Sequence, residues 1–369
     1  MKTKAAILWA PKENWSVEEI ELDPPKGQEV LVRLTASGMC HSDEHLVTGD
    51  LPVALPLVGG HEGAGVIEAV GPAVTSVVPG DHVVLSFLPA CGHCRPCSSG
   101  HQNLCDLGAS LMTGRQVDGT ARHHARGQDL GLMCMVGTFA HHTVCHEASV
   151  VKVEDDVPLD KACLIGCGVT TGWGASVYSA KVAPGDAVVV VGVGGVGTAA
   201  VQGAVLAGAR FVVAVDPSEF KRESAMRFGA THAAASIQEA MGLVGDITWG
   251  RMAEKVILTA GVVHGDMIAP LMALVAKGGR AVVTGVTPVL EMDVTMNLAD
   301  LTLSQKELVG SLFGAANPRE DIPRLLDLYR AGKLQLDEMV TRTYPLDDVN
   351  QGYEDLRDNK NIRGVLLYD

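Results

Sequence analysis

In the first 155 residues, short apolar stretches alternate with turns. Residues 29–34 and 64–70 are two such stretches, and Pro79-Gly80-Asp81 is one of the turns rich in Gly, Pro and Asp. Short apolar stretches bounded by turns of this composition are typical of strands that pair with their neighbours. The pattern therefore predicts an all-β architecture for residues 1–155.

From about residue 166 the apolar stretches become continuous and alternate with helical patterns. The stretches 187–191, 211–215, 255–259 and 280–284 do not alternate polar with apolar positions. Strands of this kind are buried on both faces, as in a parallel sheet covered by helices. We therefore predict the α/β fold class, with a doubly wound parallel sheet after the β-rich part. The mixed pattern beyond residue 311 predicts helices near 321–330 and 346–357 and a last strand at 364–368.

Several segments of the β-rich part lack a strand pattern. Residues 91–105 are polar and Gly-rich, which predicts a loop, and residues 38–43 and 59–63 form turn-rich segments in which polar groups cluster. Residues 106–137 form a longer segment with several Gly. A loop of that length is usually functional or partly disordered, so we expect one of these for 106–137.

Length and charge limit the classes of function. A chain of 369 residues exceeds what one ordinary core accommodates, so two domains are expected. The net charge of −14, with no basic run, argues against a surface for nucleic acids or anionic membranes. The apolar run near Met1 is too short for a signal peptide, and no stretch approaches the roughly 18 apolar residues of a membrane span. We expect a cytoplasmic protein with no nucleic-acid or membrane partner.

A glycine-rich turn predicts a dinucleotide site. Gly192-Val193-Gly194-Gly195-Val196-Gly197 directly follows the predicted strand 187–191 and opens an Ala-rich helix that continues to Leu206. The motif G-x-G-x-x-G is weak by itself, but a strand before it and a helix after it are the context that it requires. In that setting the first Gly makes the turn, the second lets a pyrophosphate approach, and the third permits close helix–strand packing.

The residue that ends the next predicted strand favours NAD over NADP. Asp216 lies 24 residues after Gly192. A carboxylate there accepts hydrogen bonds from the adenosine ribose and repels a 2′-phosphate. Lys221 and Arg222 follow closely and weaken this preference, because either side chain could reach a phosphate.

Four of the nine cysteines lie within 15 residues on the predicted loop, as Cys91-x-x-Cys94-x-x-Cys97 followed by Cys105. Four thiolates at this spacing can surround one zinc ion tetrahedrally without leaving a position for substrate or water. A structural zinc site is therefore predicted. Disulfides are the alternative, and adjacent C-x-x-C pairs in a cytosolic chain make them the weaker one.

A second group of candidate ligands is dispersed along the sequence: Cys40, His61 with its neighbour Glu62, and Cys167. Two thiolates and one imidazole would leave the fourth position of a zinc ion open, as in catalytic sites. Spacing alone cannot bring such distant residues together. A lone buried cysteine is usually only a small apolar residue, and this is our expectation for Cys134, Cys145 and Cys163. Most of the thirteen histidines are expected at the surface or in loops, including His101, His123, His124 and His232.

Taken in this order, the motifs resemble those of the zinc-containing alcohol dehydrogenases of the medium-chain dehydrogenase/reductase superfamily. The resemblance covers essentially the whole chain, down to Asn361-Ile362-Arg363 before the last predicted strand. It implies a GroES-like, β-rich catalytic domain formed by residues 1–168 with 312–369, and a Rossmann NAD-binding domain formed by residues 169–311. It also implies a zinc- and NAD-dependent enzyme that interconverts alcohols and aldehydes by hydride transfer.

The resemblance also implies roles for individual residues. The ligands of the catalytic zinc match Cys40, His61 and Cys167, with Glu62 beside the metal and Asp43 fixing the tautomer of His61. The ligands of a structural zinc match Cys91, Cys94, Cys97 and Cys105. Ser42 would take the proton of the alcohol and pass it through the cofactor ribose to His45. His41 and Arg363 match residues at the cofactor pyrophosphate, and Phe87 matches a residue of the substrate channel. The cofactor-binding residues implied in total are His41, Gly192, Gly194, Gly195, Val196, Gly197, Asp216, Lys221 and Arg363.

Departures from the family patterns narrow the function. The segments around Cys40 and Gly60 resemble the glutathione-dependent formaldehyde dehydrogenases, which place an Arg where this chain has Ala109. His45 also departs from the pattern of that class and matches the pattern of the ordinary alcohol dehydrogenases. An S-(hydroxymethyl)glutathione dehydrogenase is therefore an alternative that Ala109 disfavours. A non-catalytic NAD-binding protein is a second alternative. Such a protein would be expected to have lost zinc ligands or Ser42, and this chain has kept them.

The segment 106–137 resembles a particular subtype, the actinobacterial nicotinoprotein alcohol dehydrogenases. The resemblance lies in Met112-Thr113-Gly114 and Met133-Cys134-Met135. Those enzymes keep NAD bound and reoxidise it in place with an external electron acceptor. The implied partners are a small alcohol or aldehyde, an external acceptor and further copies of the chain, as a homodimer or homotetramer.

Overall fold

Two structural units divide the chain in the computed structural model, which describes residues 1–368. The first unit combines Met1–Cys167 with the C-terminal segment from Asn317, and the second is Gly168–Ala316. The strands are β1 (Lys2–Leu8), β2 (Ser16–Leu22), β3 (Glu29–Gly38), β4 (Leu57–Val58), β5 (Glu62–Val70), β6 (His82–Leu85), β7 (His123–Ala125), β8 (Gln128–Leu132), β9 (His142–His146), β10 (Val150–Lys152), β11 (Ala187–Val191), β12 (Phe211–Val215), β13 (His232–Ala234), β14 (Ala253–Leu258), β15 (Val275–Val283), β16 (Glu307–Gly310), β17 (Val340–Pro345) and β18 (Arg363–Leu367). The helices are α1 (His41–Thr48), α2 (Arg95–Ser98), α3 (Leu159–Ala162), α4 (Gly168–Gly174), α5 (Gly195–Leu206), α6 (Glu219–Arg227), α7 (Ile237–Ile247), α8 (Ile268–Leu274), α9 (Leu298–Leu303), α10 (Pro318–Arg330) and α11 (Val349–Arg357).

The first unit is built on two β-structures. Strands β1, β2, β7, β8 and β4 close into a barrel, and a seven-stranded sheet has the order β10-β6-β5-β3-β18-β17, with β9 also paired to β3. The long strand β3 pairs antiparallel with β5, β9 and β18, and its alternate apolar residues are buried in the core. Because β3 ends at Gly38, opposite Glu62 of β5, the segments that follow β3 and precede β5 meet at one end of this sheet.

The second unit is the parallel sheet expected from its continuous apolar stretches. Its order is β13-β12-β11-β14-β15-β16, and every neighbouring pair is parallel. All five residues of β11 are buried, as the absence of polar alternation predicts. The predicted bounds of β11, of β12 and of the end of α5 agree with the structure, whereas β14 and β15 begin earlier than predicted. The predicted α/β class with a β-rich part is confirmed.

The prediction of a loop for residues 106–137 is wrong, because the segment contains the hairpin β7–β8. Arg126 and Gly127 connect the two strands with φ values of 51° and 72°. Positive φ at both positions is what a two-residue hairpin turn of type I′ requires. The hairpin completes the barrel by pairing with β2 and β4. Its strands are three and five residues long and carry His, Gln and Asp, so apolar periodicity does not reveal them.

Two further expectations need correction. The segment 38–43 is not all turn, since β3 extends to Gly38 and α1 begins at His41, with Cys40 in extended conformation as its N-cap. Two carboxylates in the first turn of α1 favour this start electrostatically. His123 is not a surface residue but lies fully buried in β7, where it faces the core of the barrel region.

Among residues 1–368, the helices are all too short or too polar to cross a membrane.

Candidate active site

The dispersed ligand candidates meet in the first unit. One ligand atom each of Cys40, His61, Glu62 and Cys167 lies within 4.8 Å of all the others, and the four residues are buried. Cys40 follows β3, while His61 and Glu62 stand at the start of β5, the partner of β3. Cys167 follows a 3₁₀ turn that packs against β5. The sheet register thus brings together residues that sequence spacing leaves far apart.

Two glycines allow the backbone to approach this cluster closely. Gly60 has φ of 82°, and a Cβ there would collide with Phe139 and Thr138. A Cβ on Gly38 would collide with the Glu62 carboxylate. A larger residue at position 38 would therefore displace Glu62 of the cluster, and one at position 60 would displace Phe139 and Thr138.

His61 is held between a carboxylate and a thiol. Its Nδ1 lies 3.1 Å from Oδ2 of Asp43, whose other oxygen accepts a hydrogen bond of 2.9 Å from the backbone N–H of Gly60. Burial alone lowers the pKa of His61, but Asp43 and Cys40 outweigh this effect and raise the pKa well above its ordinary value. The Cys40 thiol has a pKa well below its ordinary value, first because Cys167 donates a hydrogen bond to it.

The chemistry of these donors fits zinc. The Nε2 atom of His61 is buried and has no hydrogen-bond partner among the described residues. An unpaired imidazole nitrogen inside a protein is destabilising unless something else satisfies it. With two cysteine sulfurs close by, a zinc ion is the natural partner, and Asp43 on the other ring nitrogen is the usual support for such a ligand.

A buried ion pair borders the cluster. Arg363, the first residue of β18, contacts the Glu62 carboxylate through Nη2, and both side chains are almost fully buried. Burial lowers the pKa of Arg363, but Glu62, Cys40 and Cys167 raise it above its ordinary value, so the residue is charged. Sequence reasoning placed Arg363 at the cofactor and Glu62 at the metal but missed this pair. A buried Glu and a buried Arg that are 301 positions apart leave no local signal.

The proposed relay residues lie on α1. Ser42 is in the first turn, where its Oγ lies 3.6 Å from Sγ of Cys40. His45 is buried one turn later, and its Nδ1 lies 3.3 Å from Oδ2 of Asp50. His41 is half-buried at the start of the helix. Phe87 meets the ring of His61 edge-on, with ring centroids 5.9 Å apart. Asp50 is a further neighbour that sequence reasoning did not identify.

The four-cysteine loop forms a second metal-binding cluster. One sulfur each from Cys91, Cys94, Cys97 and Cys105 lies within 4.8 Å of the other three, and none of these cysteines is in a disulfide. Backbone N–H groups of Cys91, Cys94 and Asp106 point at sulfurs over 3.4 to 3.5 Å. Such donors stabilise thiolates, and the backbone N–H groups of Asp106 and Cys97 are the main reason why the pKa of Cys94 falls to about 6. The loop is therefore arranged to hold a cation.

The glycine-rich turn of the second unit has the geometry of a phosphate-binding loop. Gly192 has φ of 88°, and a Cβ there would collide with the backbone of Ala260. A Cβ on Gly197 would collide with the carbonyl of Gly192. At Gly194, by contrast, nothing lies within 4 Å of the Cβ position, which leaves the second Gly of the motif open to a ligand. Helix α5 starts at Gly195 without a side-chain cap, so its first N–H groups can bind an anion.

Asp216 is tied to this loop. It follows β12, is buried, and accepts hydrogen bonds from the backbone N–H groups of Val193 at 3.0 Å and Ser218 at 2.9 Å. Arg222 donates to the backbone carbonyls of Asp216 and Pro217, at 2.7 and 2.9 Å. The guanidinium is therefore engaged by the backbone, while Lys221 lies half-buried on α6.

Comparison with known families and proteins gives a consistent result. Two family profiles match the chain, the alcohol dehydrogenase GroES-like domain over residues 26–155 and the zinc-binding dehydrogenase family over residues 195–331. Alcohol dehydrogenase B of Mycobacterium tuberculosis is 52% identical over 370 residues, which cover 100% of this chain and 99% of that protein. The NDMA-dependent alcohol dehydrogenase of Amycolatopsis methanolica is 52% identical over 368 residues, with 100% and 99% covered.

Solved structures extend this similarity to the fold. Benzyl alcohol dehydrogenase from Acinetobacter calcoaceticus matches with a TM-score of 0.93 at 31% sequence identity, over 100% of both chains. An alcohol dehydrogenase zinc-binding domain protein from Burkholderia ambifaria matches with a TM-score of 0.93 at 32% identity, over 100% of this chain and 99% of that one.

Proposed function

Because the chain belongs to the zinc-binding alcohol dehydrogenases of the medium-chain dehydrogenase/reductase superfamily, we propose that its Cys40–His61–Cys167 cluster is the catalytic centre of an alcohol oxidation. The protein is a zinc- and NAD-dependent alcohol dehydrogenase. When bound, zinc acidifies the hydroxyl of an alcohol and NAD accepts the hydride from its carbon. The observation that carries the proposal is the buried Nε2 of His61, which has no hydrogen-bond partner within residues 1–368 and lies beside two cysteine sulfurs.

The surrounding residues have distinct tasks in this proposal. Asp43 holds Nδ1 of His61, which directs Nε2 to the metal. Ser42 stands next to the ligand Cys40, and its Oγ takes the hydroxyl proton while its own proton passes on toward His45. Arg363 balances the negative charge of Glu62 and of Cys40, and it would also balance that of Cys167 as a zinc ligand. Phe87 provides an apolar surface beside His61 for the carbon chain of the substrate.

Zinc content and turnover of two cysteine variants test the catalytic centre. We expect Cys167→Ala to retain one zinc ion per chain, held by the four-cysteine loop, and to lose alcohol oxidation. Cys163→Ala is the matched control, because Cys163 is also a buried free cysteine and lies only four positions away. It should retain two zinc ions and most of the activity. Two zinc ions and normal turnover in Cys167→Ala would refute the assignment.

We also propose that NAD stays bound between turnovers and is reoxidised in place by an external acceptor. The similarity to the NDMA-dependent enzyme of Amycolatopsis methanolica over the whole chain supports this subtype. Each tenfold gain in affinity needs about 1.4 kcal/mol, which a few added hydrogen bonds supply. The residues proposed to hold NAD are His41, Asp216, Lys221, Arg363 and the glycine-rich turn Gly192, Gly194, Gly195, Val196 and Gly197.

Cofactor retention is measured on extensively dialysed protein. Denaturation should release close to one dinucleotide per chain, and alcohol oxidation should proceed with NDMA as acceptor and without added NAD. A substoichiometric release together with activity that requires added NAD would assign the protein to the dehydrogenases that exchange their cofactor.

We propose, finally, that the chain forms a homo-oligomer through its second unit. The segment around α9 exposes large apolar side chains, with Leu290 89%, Met292 85% and Leu303 86% exposed. Strand β16 pairs only with β15 among the described strands, so its other edge can accept a further strand. Multi-angle light scattering of the purified protein measures the number of copies.

A further inference from the structure

The end of helix α1 turns the chain back toward His45. Gly49 adopts the left-handed conformation with φ of 88°, and its N–H donates to the carbonyl of His45 at 3.1 Å. The N–H of Leu51 donates to the same carbonyl at 3.1 Å. This reversal is the usual way in which a glycine ends a helix. It places Asp50, two residues beyond the helix, beside the imidazole of His45.

Two contacts fix the Asp50 carboxylate in this position. Its Oδ2 lies 3.3 Å from Nδ1 of His45, and the same oxygen accepts a hydrogen bond of 2.6 Å from the Thr48 hydroxyl. The His45 side chain is 3% exposed, whereas that of Asp50 is 32% exposed. A buried imidazole is thus joined to water by a carboxylate.

The chemistry of the pair defines which nitrogen of His45 can take up a proton. A neutral imidazole carries its proton on one nitrogen, and an ionised carboxylate only accepts hydrogen bonds. The proton therefore resides on Nδ1, facing Asp50, and the lone pair is left on Nε2. A neighbouring group that selects the tautomer in this way also stabilises the imidazolium that forms when Nε2 is protonated.

We propose that Asp50 is a positioning residue of the proton relay: it holds His45 in the tautomer that accepts a proton at Nε2 and conducts the Nδ1 proton to water. The inference rests on the proposed alcohol oxidation and on the relay role of His45. In each turnover one proton enters at Nε2 and one leaves from Nδ1 through the carboxylate. Exchange with water then restores the starting tautomer, so the relay consumes no other reactant.

Kinetics of the Asp50→Asn variant test the role. We expect kcat for alcohol oxidation to fall about 100-fold, the lower end of the range that general acid–base groups contribute, because the amide neither selects the tautomer nor stabilises the imidazolium. Asp347→Asn is the matched control, since Asp347 is an exposed aspartate of the same unit whose ion-pair partner among the described residues is Lys4. It should retain the wild-type kcat.

A double-mutant cycle distinguishes a role of Asp50 in the proton relay from a role in stabilising helix α1. Asp50→Asn should slow the wild-type enzyme but add nothing in a His45→Gln background, because the carboxylate acts through that imidazole. A structural role would slow both backgrounds equally, and such a result would overturn the proposal.

The tautomer itself is observable without turnover. In ¹⁵N-histidine-labelled protein, the His45 signals are identified by their loss in His45→Gln, and wild type should carry the proton on Nδ1. Asp50→Asn should shift the proton toward Nε2. A wild-type proton on Nε2, or no change in the variant, would overturn the proposal. If wild-type protein oxidises no alcohol, the proposed function fails instead, so the two failures are distinguishable.

Discussion

At the scale of single residues, we propose that the carboxylate of Asp216 determines the preference for NAD over NADP. Asp216→Gly should raise the affinity for NADP relative to NAD by about tenfold or more, equivalent to about 1.4 kcal/mol, because a ribose acceptor and a repulsive charge are lost together. Asp216→Asn is the comparison, since it removes the charge but keeps an oxygen for the N–H of Val193. Titration of dinucleotide-free protein with both cofactors measures the ratio. If both variants kept the wild-type preference between NAD and NADP, Lys221 rather than Asp216 would determine it.

The support of His61 by Asp43 is a second residue-scale expectation. Asp43→Asn should weaken zinc binding at the catalytic centre about 10- to 100-fold, because ligand histidines depend on the group that holds their other nitrogen. Competition with a chromophoric chelator measures the affinity. Glu44→Gln is the control, since this neighbouring carboxylate pairs with Arg357 rather than with a ligand. Equal affinities in wild type and Asp43→Asn would show that backbone packing alone orients His61.

Residue types and their spacing in the sequence predict one part of the candidate site but not the other parts. The four-cysteine loop is local, so 15 residues of sequence suffice to predict its cluster. The Cys40–His61–Cys167 cluster depends on the register of β3 against β5, which spacing does not contain, and it was identified through the family resemblance. The pairs Glu62–Arg363 and His45–Asp50 were missed. The first spans the chain, and the second depends on the end of helix α1, for which the sequence pattern gives no prediction.

At the scale of elements, the β7–β8 hairpin is anchored by a buried ion pair. Arg122 is 1% exposed and donates two hydrogen bonds to Glu29 of β3, at 2.8 and 2.7 Å. Arg122→Met should lower the free energy of unfolding by about 3–5 kcal/mol, because Glu29 is left buried without its partner. Urea unfolding measures the difference. Arg126, in the turn of the same hairpin, forms an exposed ion pair with Glu18 of β2. Arg126→Met should therefore change the free energy of unfolding by less than about 1 kcal/mol. Similar losses in both variants would contradict the anchoring role.

The same hairpin makes stability depend on pH. Burial, and then the charges of His124 and Arg122, lower the pKa of His123 from 6.5 to about 3. The folded protein therefore keeps His123 neutral while the unfolded chain takes up a proton below pH 6.5, so stability falls as the pH drops from about 6.5 toward 3. By pH 5 the loss amounts to about 2 kcal/mol. Unfolding at pH 7 and pH 5 should show this decrease in wild type and a smaller one in His123→Gln. Identical decreases would exclude His123 as the source.

The hairpin also shows why elements differ in how well a sequence predicts them. Strands β11 and β12 are buried on both faces, so their composition alone marks them. Strands β7 and β8 gain their stability from neighbours in the barrel and from the Arg122–Glu29 pair, which are distant in sequence. Local patterning therefore predicts β11 and β12 residue by residue and β14 and β15 with shifted bounds, but it overlooks the hairpin.

At the scale of the whole molecule, the proposed homo-oligomer accounts for apolar surface that an isolated chain would leave in water. Leu303 on α9 is 86% exposed, close in sequence to the open-edged strand β16. Burial of apolar area stabilises an interface by about 25 cal/mol per Å², so a charge at its centre should be strongly destabilising. Leu303→Glu should therefore lower the mass measured by light scattering toward that of one chain. Val78→Glu is the control, because Val78 is 59% exposed in the first unit and lies outside the proposed interface. An unchanged mass in Leu303→Glu, or an equal loss in Val78→Glu, would place the contact between copies elsewhere.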